Sequence, residues 1–166
     1  PGYLARRLIR MATEDIGLAD PNALRLAMAA QQSYQFLGSP EGDLSLAQLV
    51  VYLAVAPKSN AVYAAYKKVS SLIDKGYACV VPLRLRNAPT NMMKEKGWAE
   101  NQKYAHTEAD AITTMECLPD ALAGKVFYEP TNFGVEARIA ERLKYIRGEI
   151  QRRRQQEDAA ATKSTP

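Results

Sequence analysis

The chain has 166 residues, of which 47% are hydrophobic and 24% are charged. This length and composition suit one ordinary domain with a buried core and argue against wholesale disorder. No apolar run approaches the roughly 18 to 20 residues that span a bilayer, and no signal peptide opens the chain. From these two features we expect a cytoplasmic protein. Because the chain also begins without methionine, we expect it to be a piece of a longer polypeptide.

The net charge of +4 is concentrated near the C-terminus. Residues 1–130 carry 14 basic and 13 acidic side chains, whereas residues 131–156 carry seven basic and three acidic ones. Proteins that bind nucleic acid electrostatically usually present a broad basic face. The charge distribution is therefore only a weak argument for nucleic-acid binding.

Apolar periodicity, interrupted by glycine and proline, predicts a mostly α-helical fold. The predicted helices cover about residues 3–17, 21–37, 40–55, 58–75, 89–96 and 132–155. Short breaks between the first four predict antiparallel neighbours in a compact bundle. We expect at most a small β pairing, between "ACVVP" and "KVFYEP". The domain is predicted over residues 1–156, and residues 157–166 are predicted to form a flexible tail.

Helix ends have clear signals in this chain. Asp20 followed by Pro21, and Ser39 followed by Pro40, are both typical of an N-cap and the first helical position. Gly97 is placed to end the short fifth helix.

The third predicted helix is apolar on nearly all sides. Its predicted buried stripe consists of Leu46, Leu49, Val50 and Leu53. Val51, Tyr52 and Val55 lie on its other sides. A helix of this kind is either central in the bundle or shared with a partner. The inner face of the fourth helix is predicted to consist of Val62, Ala65, Tyr66, Val69, Leu72 and Ile73.

Sequence signals for catalysis are weak. The chain has no G-x-x-x-x-G-K-[ST] phosphate loop and no G-x-S-x-G nucleophile elbow. His106, the single histidine, lies near Glu108 and Asp110, but this spacing does not support a zinc site, and a loop histidine is favoured. Glu14 and Asp15 point about 100° apart on a helix, so they cannot flank one substrate bond. We interpret them as partners of arginines such as Arg10 or Arg86.

The two cysteines have no metal-like spacing. Cys79 and Cys117 are far apart in the sequence. One disulfide bridge is conceivable, and two unpaired thiols in a reducing compartment are the favoured interpretation.

Several basic residues admit more than one role. If their segment is extended, Arg84 and Arg86 lie on the same face. For these two arginines we favour structural ion pairs over contacts in a protein interface, and both over contacts with DNA phosphate. Arg6 and Arg7 lie in the first helix. The run from Arg152 to Arg154 complements the negative end of the last helix, so a solvated cap is the default interpretation.

Five stretches together resemble one family. They are "ARRLIRMATEDIGLADPNAL", "AQLVVYLAVAPKSNAVYAAYK", "VPLRLRNAPTNMMKEKGW", "KYAH" and "FYEPTNFGVEARIAERL". These motifs, which run from about residue 3 to residue 143, resemble the C-terminal region of the RarA/MgsA proteins. That family consists of replication-associated recombination factors, relatives of the Werner-helicase-interacting protein. Where the family has Gly-Tyr-Gly, this chain has Gly97, Trp98 and Ala99. The retained aromatic implies retained packing, while Ala99 argues against a close backbone approach there.

The resemblance implies a AAA+ ATPase related to clamp loaders, of which this chain is a non-catalytic, collar-like oligomerisation domain. It further implies a homotetramer, with ATP and Mg²⁺ bound by a preceding AAA+ module that this collar contacts. The resemblance also implies that the full protein acts at stalled replication forks. Its implied partners are DNA and single-stranded-DNA-binding protein, and its implied location is the nucleoid. No cofactor or metal is expected in this segment.

The resemblance also gives "LRLRNAPTNMMKEKGW" a structural and intersubunit role, with Lys94 and Lys96 facing outward and Met92 and Met93 inward. The candidate interface or structural residues are Arg6, Arg7, Glu14, Asp15, Tyr52, Arg84, Arg86, Asn87, Lys94 and Trp98. Two rival hypotheses are a nucleic-acid-binding module that uses the basic last helix, and a metal-dependent or hydrolytic enzyme built around His106.

Overall fold

The computed structural model describes residues 1–76, 80–108 and 110–163, except the side chains of residues 161–163. Cys79, the start of "ACVVP" and the last three residues of the predicted tail lie outside the described residues. Within them the chain is helical and contains no strand, so the predicted mostly α fold is confirmed. None of the described helices combines the length and the apolar character of a membrane-spanning segment.

Six α-helices occur in the described part of the chain. They are α1 (Gly2–Met11), α2 (Asn22–Leu37), α3 (Asp43–Val55), α4 (Ala61–Asp74), α5 (Asn91–Glu95) and α6 (Glu136–Lys163). Each corresponds to one predicted helix. α6 begins later than predicted and continues past residue 155, because "AAATK" contains good helix formers and no glycine or proline. The extent of the domain, 1–156, stays a prediction.

The chain divides into two compact units. The first comprises Pro1–Asp74 and Phe127–Glu141, and the second comprises Lys75–Val126 and Arg142–Pro166. The N-terminal turns of α6 therefore belong to the first unit, and the rest of this helix belongs to the second.

The core of the first unit lies where α1, α2 and α3 pack against one another. Leucine and isoleucine side chains from α1, the following turn and α3 meet a stripe of alanines on α2, and the small alanines allow the helices a close approach. The buried residues are Ala5, Leu8, Ala12, Ile16, Ala23, Ala27, Ala30, Leu46, Leu49, Leu53 and Ala56. The prediction that Val50 is buried was wrong. The predicted inner face of α4 was only partly right, since Val62, Tyr66 and Ile73 are exposed while the other three residues are half-buried.

A short irregular segment connects α1 to α2. Residues Ala12–Ile16 form a π-helical turn and Gly17–Ala19 a 3₁₀ turn. The carbonyl of Ala19 accepts a hydrogen bond from the backbone N–H of Val135 at 2.8 Å. A Cβ atom on Gly134 would lie 2.1 Å from that same carbonyl oxygen, so only glycine fits beside this contact.

The predicted helix caps had different outcomes. Asp20 is extended, and its carboxylate accepts from the backbone N–H of Asn22 at 3.0 Å, which satisfies one unpaired donor at the start of α2. Ser39 was wrongly predicted as the cap of the third helix. Because α3 begins only at Asp43, the Ser39 hydroxyl donates to the Asp43 carboxylate instead, at 2.7 Å.

The second unit is built mainly from turns packed with the distal part of α6. Its 3₁₀ turns are Leu83–Leu85, Ala105–Thr107 and Asp120–Leu122. The Thr90 side chain caps α5 by accepting from the backbone N–H of Met93. Gly97 ends the helix with φ of 76°, and the N–H of Trp98 returns to the carbonyl of Met93, as in a Schellman motif.

Candidate functional site

The outer face of α3 in the first unit exposes several aliphatic side chains. Leu44, Val51 and Val55 are 74%, 67% and 79% exposed. At 3.6 residues per turn these three side chains lie within about 40° of arc, opposite the buried leucines of the same helix. α3 is therefore not central in its unit. Of the two predicted alternatives, the central position is excluded, and a helix shared with a partner stays a prediction.

No charged residue interrupts this face. Between Asp43 and Lys58 the sequence has no acidic or basic side chain, and Ala47, Gln48 and Ala54 are also exposed. We call the surface formed by Leu44, Gln48, Val51 and Val55 the outer α3 face. A helix surface of this composition is unusual on a free monomer and is typical of the buried centre of a protein interface.

A groove runs beside this face, between α2 and α3. It encloses about 250 Å³, and its α2 side is formed by Leu26, Ala29, Ala30 and Ser33. Three of these four α2 side chains are small. Gln48, which belongs to the outer α3 face, also lines the groove, so the two surfaces are continuous.

Tyr52, a candidate interface residue, is half-buried and has a partner inside the first unit. Its hydroxyl donates to the carboxylate of Asp20, and this hydrogen bond raises the pKa of Tyr52. The tyrosine therefore links α3 to the start of α2. An interface role for it stays a prediction.

Lys58 closes the C-terminal end of α3. Its ammonium group donates to the carbonyls of Leu53, Ala54 and Ala56 at 2.9, 3.3 and 2.5 Å. These carbonyls include unpaired acceptors of the last helical turn, where the helix dipole is negative. Lys58 thus keeps the C-terminal end of the outer α3 face helical.

The structure separates Arg84 from Arg86. The prediction of a shared face was wrong because residues Leu83–Leu85 form a 3₁₀ turn instead of an extended segment. Arg84 donates to the carbonyls of Glu116 and Leu118 and pairs with Asp120 at 3.3 Å. Arg84 therefore has its partners within its own unit, and its structural or interface role stays a prediction.

Arg86 has a different environment within the same unit. Its guanidinium lies 5.4 Å from the ring centroid of Trp98, and its Nε donates to the carbonyl of Val81. Asn87 and Lys94 line an open cavity together with Trp98. Met92 is exposed, so the prediction that it packs inward was wrong.

One ion pair involves a candidate residue of the turn that follows α1. Arg10 contacts Glu14 at 2.5 Å, one helical turn apart, and this contact lowers the pKa of Glu14. Arg6, Arg7 and Asp15 are exposed. The Asp15 backbone carbonyl accepts from the N–H of Ser59 at 2.8 Å.

The basic end of α6 is engaged within the second unit. Arg153 pairs with Asp110 at 2.6 Å and with Glu108 at 3.5 Å, and Arg154 donates to the carbonyl of Thr114. The predicted solvated cap is thus only partly right, since these two arginines hold a neighbouring segment.

Arg152 and Arg153 also flank Glu149, and their hydrogen bonds lower its pKa to about 2. In the part of the chain that the structure describes, no three potential metal ligands come together, around His106 or elsewhere. Cys117 is an exposed free thiol.

Sequence reasoning missed a charged residue that the structure buries completely. Glu136, at the first position of α6, is fully buried in the first unit. It accepts hydrogen bonds from the hydroxyls of Tyr128 at 2.7 Å and Thr131 at 2.5 Å, and from the backbone N–H of Thr131. Burial by itself raises the pKa of Glu136, but donors that include Ser59 outweigh it and hold the pKa below the usual value. The polar residues of "YEPTNFGVE", just before a helix, were the available signal.

Comparison with known proteins places this arrangement in a family. Residues 1–147 match the family model described as MgsA AAA+ ATPase C terminal. The chain belongs to this family. It is 48% identical over 148 residues to Replication-associated recombination protein A of Coxiella burnetii, covering 89% of this chain and 34% of that protein.

Two further relatives show the same pattern. The Replication-associated recombination protein A of Escherichia coli K12 is 44% identical over 147 residues, which cover 88% of this chain and 33% of that protein. The ATPase WRNIP1 of Dictyostelium discoideum is 43% identical over 130 residues, which cover 78% of this chain and 15% of that protein. The chain spans about a third of the length of the bacterial relatives, and the family resemblance inferred from its motifs is confirmed.

Proposed function

We propose that this chain is the oligomerisation domain of a AAA+ ATPase and assembles that ATPase as a homotetramer. The observation that carries the proposal is the outer α3 face, an uncharged helix surface with three large aliphatic residues exposed. Burying apolar area of this kind is the dominant favourable contribution to protein association. A clamp-loader-like collar needs such surfaces, because it holds neighbouring ATPase modules together.

In this proposal the chemistry belongs to another part of the protein. The chain has no phosphate-binding loop, so its residues do not fit ATP with Mg²⁺, and we assign both to a AAA+ module outside this segment. The segment itself is proposed to be non-catalytic and to contact that module.

The full-length protein is proposed to act in DNA replication, recombination and repair at stalled forks. The names of its relatives, Replication-associated recombination protein A and ATPase WRNIP1, support this assignment. DNA-dependent ATP hydrolysis, contact with single-stranded-DNA-binding protein and location at the nucleoid in the cytoplasm belong to the same proposal.

The absolute mass of the purified chain in solution tests the oligomerisation role. Light scattering after gel filtration, over a concentration series, is expected to give four times the 18.4 kDa mass of the chain. A monomer at every concentration would contradict the proposal that this domain assembles the ATPase by itself.

A further inference from the structure

Resting on the proposed assembly role, we infer that the outer α3 face pairs with the same face of a second copy, antiparallel, across a two-fold axis near Val51. This pairing would form one interface of the assembly, with two-fold symmetry and with Val51 near its centre. It is isologous, since the same surface is used on both copies.

The spacing along α3 fits this pairing. Leu44, Gln48, Val51 and Val55 follow one another at intervals of four, three and four residues. This is the heptad-like pattern that keeps one seam of a helix in contact with a partner helix. In an antiparallel pair centred between residues 49 and 50, Leu44 of one copy lies opposite Val55 of the other. Val51 lies next to Gln48 of the other copy, close to the axis.

Charge selects the antiparallel orientation. Exposed charges flank the face only at its two ends, with Asp43 at the start of α3 and Lys58 just after its end. Antiparallel pairing brings each Asp43 towards the Lys58 of the other copy and opposes the two helix dipoles. Parallel pairing would place like charges and like dipole ends together, which is unfavourable.

The groove beside the face leaves room for side chains of a second helix. Ala29, Ala30 and Ser33 of α2 present little side-chain bulk, and Ser45 and Gln48 give the groove a polar edge. A helix laid along α3 approaches closely on this side, and the Gln48 amide keeps a polar environment at the edge. With no cation between residues 43 and 58, the face offers a nucleic-acid backbone no favourable contact.

The first test is a charge at the centre of the proposed pair. Val51→Glu places two carboxylates near the two-fold axis in an apolar contact, so we expect at least a hundredfold weaker association at this interface. Light scattering should then show a smaller assembly than the unmodified chain, with two copies where it had four. Tyr66→Glu on α4 is the matched control, because it also places a carboxylate at an exposed residue with a large hydrophobic part, and Tyr66 is 71% exposed. Circular dichroism should show unchanged helix content in both variants.

The outcomes separate the two proposals. If the unmodified chain and the Val51→Glu variant are both tetramers, the pairing of α3 is wrong and the assembly role stands. If the unmodified chain is a monomer at all concentrations, both proposals fail.

Cysteine cross-linking tests the orientation independently of stability. In a background with Cys79→Ser and Cys117→Ser, chains with Leu44→Cys and chains with Val55→Cys are mixed, allowed to exchange subunits and oxidised. Antiparallel pairing predicts disulfide-linked dimers in the mixture and none from either variant alone. Dimers from each variant alone would indicate parallel pairing and overturn the inference. The absence of any cross-link would also overturn it and would leave this face to a different partner.

Discussion

At the scale of single residues, Glu136 is a buried carboxylate held by hydroxyl groups and a backbone N–H. Its hydrogen bonds join the start of α6 to Ser59 and to the segment that contains Tyr128 and Thr131. A buried carboxylate is tolerated when its acceptor sites are filled, and it becomes costly when they are not. The first turn of α6 therefore depends on this one side chain.

Replacing Glu136 with glutamine is expected to destabilise the chain by about 1–3 kcal/mol, because the amide presents a donor to groups that are themselves donors. Urea unfolding monitored by circular dichroism measures the loss. Glu141→Gln, on an exposed residue of the same helix, is the matched control and should change stability by less than about 0.5 kcal/mol. Equal losses in both variants would contradict this role.

The same carboxylate makes stability depend on pH. Since its folded-state pKa is lowered, its contribution is fully present above the unfolded pKa of about 4.3 and is lost as the pH falls through the folded-state value. The Glu136→Gln variant should therefore lose less stability than the unmodified chain as the pH is lowered below 4.3.

Ala99 occupies a backbone conformation that disfavours it. Its φ is 61°, in the left-handed region that favours glycine. The left-handed conformation costs a non-glycine residue about 1–2 kcal/mol, and the greater unfolded-state freedom of glycine offsets part of that cost. The resemblance described above places Ala99 where the last glycine of Gly-Tyr-Gly is expected, and the positive φ gives a physical reason for a glycine there.

Ala99→Gly is consequently expected to stabilise the chain by about 0.5 kcal/mol. The same substitution at Ala29, exposed in the interior of α2, should destabilise it by about 1 kcal/mol. Thermal unfolding of the two variants measures both signs. A loss of stability in Ala99→Gly would show that φ at this position is not the controlling factor.

At the scale of elements, α3 combines a buried leucine stripe with an exposed aliphatic face. The ammonium group of Lys58 donates hydrogen bonds to backbone carbonyls at the C-terminal end of α3, so the helix keeps its last turn despite the break at Pro57. The order of this turn also positions Val55, one end of the outer α3 face.

Removing the Lys58 ammonium group tests this element. Lys58→Met keeps most of the apolar chain but leaves the carbonyls of the last turn without this donor, and we expect a loss of about 1–2 kcal/mol. Urea unfolding gives the value, and amide hydrogen exchange should become faster in residues 52–56. Lys67→Met, exposed in the middle of α4, is the control and should leave both quantities nearly unchanged. A similar effect in both would indicate a general charge effect.

At the scale of the whole molecule, the rival nucleic-acid hypothesis rests on the basic last helix. The structure pairs Arg152 with Glu149 and Arg153 with three acidic residues, and it places Arg154 3.6 Å from Glu116. Arginines neutralised in this way contribute little to phosphate binding, because binding depends on the release of counterions by free cations.

We therefore expect this chain alone to bind single-stranded or duplex DNA weakly, with dissociation constants above about 10⁻⁴ M at physiological salt. Fluorescence anisotropy with labelled oligonucleotides, from low to physiological salt, measures this affinity. Tight binding with a steep salt dependence that is lost in Arg142→Ala or Lys144→Ala would favour the rival hypothesis.

Much of the secondary structure was predictable because its signals are local. Asp20 with Pro21, and Gly97, specify helix ends through neighbours only a few residues away. The contacts of Arg84 and Glu136 join segments far apart in the chain, so the periodicity of the sequence could not predict them. The error at Val50 and in α4 has a similar cause, because apolar spacing does not tell which side of a helix finds a neighbour.

The sequence by itself determined the helical class, six helices and, through its motifs, the family, because these depend on local propensity and on the order of residues. Only the tertiary structure decided which side of α3 is buried and which side is left open. That choice depends on how the alanine stripe of α2 meets Leu46, Leu49 and Leu53, and this meeting of distant segments leaves Leu44, Val51 and Val55 facing outward.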